Sequence, residues 1–410
     1  MADSAFTYDA PQELRVNAFA WPGRLFTGWS ASATGPLEYA DRETVINLGS
    51  TEGEIVTLYA VWDGPVITVS GVTLASKLSW IQDNAESDIT YNIEVNSAEG
   101  IGPTSLSYSG KSNITINLKG IGSMRIISLT SSGSMFTIGT GVTLVLEENI
   151  TLQGRSSNNA SLVNVSSGGN LTMNTGSKIT GNTSVYSSGV TTSGRGGGVY
   201  VAGIFVMDGG EISGNTSSSS TYSYDSCGGG VYVTGGSFAM SGGEISGNTS
   251  YSSYSSYSYG GGVYITGGSF AMSGGEISGN TSSASGSCSY GGGVYVTGGS
   301  FTISGGEISG NTSYFSSSSS SPYGGGGVYA DTAYFSKTGG IIYGYDSAES
   351  KSNIVKSGSG AGVILTNRGS AIYATSPDEV KRMEDNAEPG AFLLFDGSVN
   401  PPVWSGDWDY

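Results

Sequence analysis

Four glutamates, Glu211, Glu244, Glu276 and Glu307, recur at nearly constant spacing. Carboxylates at such intervals are the raw material of a cation site or, in pairs, of acid and base chemistry on sugars. Tyr200, Tyr232, Tyr264, Tyr295 and Tyr329 keep the same beat, as do Asn182, Asn215, Asn248, Asn280 and Asn311. The chain has no histidine, which removes His-based triads, His-ligated zinc and the commonest general base. Between 196 and 330 the only aspartates are Asp208 and Asp225, and Lys and Arg are missing, so lyase chemistry lacks its base there. The less regular stretch from Asp331 to Lys356 keeps both kinds of residue.

These residues ride on a unit, GGGVYVTGGSFAMSGGEISGNTS at 228–250, with close copies starting at 196, 260 and 291. A period held while the intervening Ser/Tyr segments drift is the mark of a solenoid rung. Alternation assigns the faces. In Val231-Tyr232-Val233 the valines share one side, and in Ser237-Phe238-Ala239-Met240-Ser241 the Phe and Met do. In Glu244-Ile245-Ser246 only Ile245 is apolar. Three short strands cornered by GG, GG and GN predict a parallel β-helix coil. No L-x-x-L-x-L spine supports a leucine-rich repeat, and propeller blades need four antiparallel strands.

Stacking equal units puts equal side chains in columns about 4.8 Å apart. The asparagine column predicts a structural amide ladder along the axis, with the NTS sequons as its by-product. The glutamate column is either a solvated face or bridged by a cation such as Ca²⁺, since like charges one rung apart repel. No calcium nonapeptide is present, and otherwise no cofactor is implied. The tyrosine column, with Tyr232, Tyr264 and Tyr295 at its centre, is expected to be exposed, as good strand formers or as an aromatic strip for sugar or protein contact. The segments 216–227, 249–260, 281–291 and 312–324 all leave the coil at one corner. They are expected to project as a comb of Ser/Tyr loops carrying Tyr254, Tyr257, Tyr259 and Tyr314, residues suited to adaptable binding.

The formal charge of −17 and only 12% charged residues leave no basic face for nucleic acid or anionic membrane. Cys227 and Cys288 sit two rungs apart, about 10 Å, too far for a disulfide. No apolar run approaches a membrane span. The opening MADSAFTYDAPQEL lacks the features of a signal peptide, and the stretch is read as part of a longer exported chain, extracellular or at the cell surface, and monomeric.

Residues 1–63 differ in texture, with three tryptophans and short alternating runs that predict a β-module of three or four strands. FTGW at 26–29, the small-residue turn before Tyr39-Ala40 and LYAVW at 58–62 resemble the Listeria–Bacteroides repeat of internalin-type surface proteins. Phe6-Thr7-Tyr8-Asp9 stands where its first strand is expected. From 64 to 375 the β-helix is expected, with regular rungs over 196–330 and a capping helix at 74–84 (LASKLSWIQDN). Residues 376–410 are expected to cap the far end. The units at 196–330, the lead-in SGKSNITINLKG and the tail NRGSAIYA together resemble the right-handed β-helix proteins of spirochaetes and other host-associated bacteria, with the pectate-lyase-like superfold. That resemblance implies a secreted or surface protein of adhesin type, expected to contact host or bacterial glycans or proteins, and the repeated rungs, with no convergent chemistry, lead us to expect no catalysis. A polysaccharide lyase or glycoside hydrolase on the same superfold is the alternative, and a structural spacer a third.

Overall fold

The computed structural model describes residues 4–374 except 8, 21–23, 25, 34, 52, 63, 187–195, 220–224, 254–256, 317–323, 332–333, 345–349, 358–362 and 365–371. Beyond 374 it describes only the strands Val380–Arg382, Leu394–Asp396 and Val403–Ser405. The remainder of the expected cap at 376–410 therefore lies outside the described residues.

The chain is all-β, 46% strand and 4% helix, and its long parallel sheets stack as a β-solenoid. Three sheets enclose the core. One of eleven strands runs from Val66–Thr68 to Val380–Arg382, and two of nine strands follow it around the coil. In the regular rungs these are the phenylalanine sheet (Ser237–Met240 and equivalents), the glutamate sheet (Glu244–Ser246) and the valine sheet (Val231–Val233). The register follows the repeat: Phe238 pairs with Phe205 and Phe270, Ile245 with Ile212 and Ile277, Val231 with Val199 and Val263.

The inward residues of every strand merge into one continuous core. Phe205, Phe238, Phe270 and Phe301 stack face to face with ring centroids 4.4–4.7 Å apart. Each such buried side chain contributes roughly 1.5–3 kcal/mol from apolar burial. The corners depend on glycine where rungs touch. A Cβ on Gly229 would lie 2.4 Å from the Gly261 carbonyl oxygen and 2.5 Å from Thr249. Gly243 takes φ +82°, the left-handed region that a side chain disfavours.

Coil length changes along the solenoid. In the first windings the side chains of Asn92 and Asn117, 25 residues apart, meet on neighbouring rungs. Thr143 and Asn170, 27 residues apart, do the same further on. Beyond Asn170, which pairs forward with Ile204, the coil is longer. The step is 33 residues from Asn215 to Asn248, 32 from Asn248 to Asn280 and 31 from Asn280 to Asn311. The expected three-strand coil therefore describes the first windings. In the regular rungs a fourth strand follows the Asn corner, as in Thr249–Ser252, and a short fifth in some, as in Ser258–Tyr259. The reason is local: T-S-x-S is itself an alternating pattern, and it pairs rung upon rung.

At that corner the asparagines form the ladder. Asn215 donates its backbone N–H and its Nδ2 to Asn248 Oδ1 at 3.0 and 3.1 Å. Asn248 does the same to Asn280, and Asn280 to Asn311, all within 2.9–3.0 Å. Asn182 enters through its backbone N–H, 3.2 Å from Asn215 Oδ1. The ladder runs on to Asn353, outside the expected set, because a longer coil places it one rung beyond Asn311. All six are fully buried.

The helix Leu74–Asn84 forms where expected. Thr73 caps it, with Ser76 N–H donating to Thr73 Oγ1 at 3.1 Å and Thr73 N–H to Ser76 Oγ at 3.2 Å. Its buried face, Leu74, Leu78 and Ile81, joins the core at the first coils. The N-terminal residues form two antiparallel pairs, Gln12–Glu13 with Thr44–Val45 and Phe26–Ser30 with Tyr59–Trp62, around Leu14, Trp29 and Val45. The expected first strand at Phe6–Asp9 is corrected. Residues 4–7 carry no strand, Tyr8 lies outside the described residues, and Asp9 turns the chain at φ +56°.

Candidate functional site

The Ser/Tyr segments begin as strands. Thr216–Ser219, Thr249–Ser252, Thr281–Ala284 and Thr312–Phe315 belong to a seven-stranded sheet that starts at Thr183–Tyr186. Thr249 and Tyr251 face outwards, while Ser250 and Ser252 are buried. Further along each segment come the short strands Ser226–Cys227, Ser258–Tyr259 and Ser289–Tyr290, which pair with one another. Between the two sets of strands runs a chain of buried hydroxyls. Ser258 Oγ donates to Ser250 Oγ at 2.9 Å, and Ser282 Oγ to Ser258 Oγ at 3.0 Å. Ser289 Oγ donates to Ser282 Oγ at 2.9 Å, and Ser313 Oγ to Ser289 Oγ at 3.2 Å. Serine is small enough for the two arms to close and polar enough to satisfy the gap. Among the described residues the expected comb of separate loops is replaced by a fin, a stacked layer beside the coil; residues 220–224, 254–256 and 317–323 of those segments lie outside the described residues.

The fin explains a second correction. Tyr232, Tyr264 and Tyr295 do face away from the coil, but they are not exposed: at 5–7% exposure they lie beneath Cys227, Tyr259 and Tyr290. Tyr232, Tyr264 and Tyr295 stack at 5.0 and 5.1 Å, and Tyr259 lies 4.9 Å from Tyr295. Burial, reinforced by neighbouring phenols and thiols, pushes the Tyr259, Tyr264, Tyr290 and Tyr295 hydroxyls well above their ordinary range. Polar partners remain: Thr266 donates to the Tyr232 oxygen at 3.3 Å, and Tyr295 donates to Asp331 at 3.5 Å.

The surface offered to solvent is therefore different from the expected one. Tyr257 is 40% exposed and Tyr251 38%. Tyr259 and Tyr314 are half-buried, and Tyr254 lies outside the described residues. Tyr251 and Tyr314 occupy one outward column, separated by Ser283. Sequence reasoning passed over Tyr251 and Tyr290, and weighed Cys227 only as a disulfide partner. The alternation of T-S-Y-S pointed to Tyr251, while the second strand is too short to show a pattern. Cys227 and Cys288 are both thiols.

Glu244, Glu276 and Glu307 line a shallow open groove with Gly210, Gly243, Gly275, Gly306 and Ile341. Lysines pair with the two end members of the column: Lys178 Nζ lies 2.7 Å from Glu211 and Lys351 Nζ 3.0 Å from Glu307. Burial raises the Glu211 carboxyl, but the hydrogen bonds of Lys178 and Ser213 and the Lys178 charge together more than offset it, leaving Glu211 below its ordinary value. Between them Glu244 and Glu276 sit in adjacent register. Among the described residues no group of three or more Asp, Glu, Cys or His stands together to hold a metal ion. No helix among them is long and apolar enough to cross a membrane.

Comparison of the chain with known protein families, curated proteins and solved structures gives no match.

Proposed function

We propose that the protein is a non-catalytic, adhesin-like β-helix of the cell surface or extracellular space, using the fin to contact glycans or proteins of a host or of neighbouring bacteria. The observation carrying this reading is the fin itself: Tyr251 and Tyr257 stand exposed on a layer whose interior is locked by hydroxyl bonds and stacked rings. Rigid aromatic hydroxyls lose little entropy on contact and offer both a ring face and a polar tip. The rungs repeat one glutamate each rather than converging different groups on one point, which suits a surface more than a reaction centre. Under this reading the chain is kin to the β-helix surface proteins of spirochaetes, and residues 1–63 are a Listeria–Bacteroides-type module.

The test is a glycan array together with immobilised matrix proteins, probed with the full chain and with the Tyr251→Ala, Tyr257→Ala double variant. Binding that the double variant weakens at least about tenfold, a loss near 1.4 kcal/mol, is expected. Blank arrays, or release of reducing or unsaturated ends from polysaccharides, would overturn the reading in favour of a spacer or a carbohydrate-active enzyme.

A further inference from the structure

Tyr257 stands at the solvent edge of the tyrosine layer. Its ring centroid lies 5.9 Å from Tyr259, inclined by 18°, and 6.1 Å from Tyr290 on the next rung, tilted by 39°. Inward the ring contacts continue, from Tyr290 to Tyr295 at 5.8 Å and from Tyr295 to Tyr264 at 5.1 Å. A phenol that loses one electron and its proton becomes a phenoxyl radical, and rings in contact exchange that oxidised state. The layer thus lets an oxidising event at exposed Tyr257 reach its half-buried neighbours.

We propose that Tyr257 and Tyr290 form an oxidative coupling site, joined across two rungs when a haem peroxidase with peroxide, or an equivalent one-electron oxidant, acts on the protein. Each phenol gives one electron to the oxidant and one proton to water. The two radicals then bond through ring carbons ortho to oxygen, and the hydrogens on those carbons move to the oxygens to restore both phenols. Peroxide takes up the electrons and protons and becomes water. Exposure and geometry together select the pair: Tyr290 and Tyr329 also meet edge to face, at 67°, but Tyr329 is buried and held inside the strand Val328–Ala330. Tyr259–Tyr290 and Tyr264–Tyr295 are stacked nearly face to face, at 20° and 6°, and strand pairing clamps both, so their ring edges cannot meet. Tyr257 precedes the strand Ser258–Tyr259, and its tilt already opens an edge towards Tyr290.

The experiment treats the dilute full chain with haem peroxidase and hydrogen peroxide, then digests it with a glutamate-specific protease. Cleavage after Glu244, Glu276 and Glu307 puts Tyr257 and Tyr290 in the successive fragments 245–276 and 277–307. Expected are these two fragments linked, lighter by a pair of hydrogens, with the blue fluorescence of a coupled tyrosine and no dimer of the chain. Tyr257→Phe should lose the linked pair, whereas Tyr251→Phe, equally exposed and in the same fragment, should keep it. A linked pair that survives Tyr257→Phe, equal coupling in urea-unfolded chain, or links only between separate molecules would overturn the proposal.

Discussion

The Asn248 carboxamide accepts from Asn215 and donates both to Asn280 Oδ1 and to the Ile212 carbonyl, 2.8 Å away. Removing it takes partners from the Asn215 N–H and the Ile212 carbonyl of the preceding rung, each worth roughly 1–3 kcal/mol when buried. Asn248→Ala is therefore expected to lower stability to denaturant by at least about 2 kcal/mol. A loss below about 0.5 kcal/mol, the usual scatter of surface changes, would show that the ladder is dispensable. The same burial bears on the NTS sequons, whose asparagine side chains are wholly committed inside the fold. The ladder was legible in the sequence because identical amides at one corner of a repeat have few other ways to be satisfied. Lys351 was not: its pairing with Glu307 spans 44 residues and an irregular coil, and no periodicity reports such a contact.

At the scale of the element, the tyrosine layer makes a pH prediction. Folding raises the hydroxyls of Tyr259, Tyr264, Tyr290 and Tyr295 above the ordinary phenol value of 10.0, chiefly by burial. A raised group lends stability that is fully present below its unfolded value and drains away as pH climbs above it. Stability should hold below pH 10 and fall beyond it, with phenolate absorbance of these residues appearing together with loss of the β signal. Smooth ionisation of all tyrosines in an intact fold would contradict this. Here the sequence misled in an instructive way. Val231-Tyr232-Val233 correctly turned the tyrosine away from the core, but alternation says only which side a residue faces, not what lies over it. The cover comes from Cys227, Tyr259 and Tyr290, on strands of two residues that no periodic pattern reveals.

For the molecule as a whole, register equality makes rungs exchangeable. Glu244 and Glu276 occupy equivalent positions, as do Ile245 and Ile277. Excising 245–276 joins Glu244 to Ile277 with every column kept. The shortened chain is expected to fold with unchanged β spectrum and a modestly lower melting temperature, since each rung contributes mainly through its neighbours. Loss of cooperative folding on excision would mean that the rungs are not equivalent. The overall architecture was readable because repetition multiplies weak local signals. The lengthening of the coil at Asn170, by contrast, marks the added fin only once its strands are seen.

The asparagine ladder also has a direction. Each asparagine hands its backbone N–H to the side-chain oxygen of the asparagine that follows it in the chain. A winding that has just closed therefore ends in waiting N–H groups, and the asparagine that answers them is the next to be delivered by a chain emerging N-terminus first. Growth and docking run the same way, so the solenoid can assemble as a one-way ratchet, with the capped helix end as its starting block.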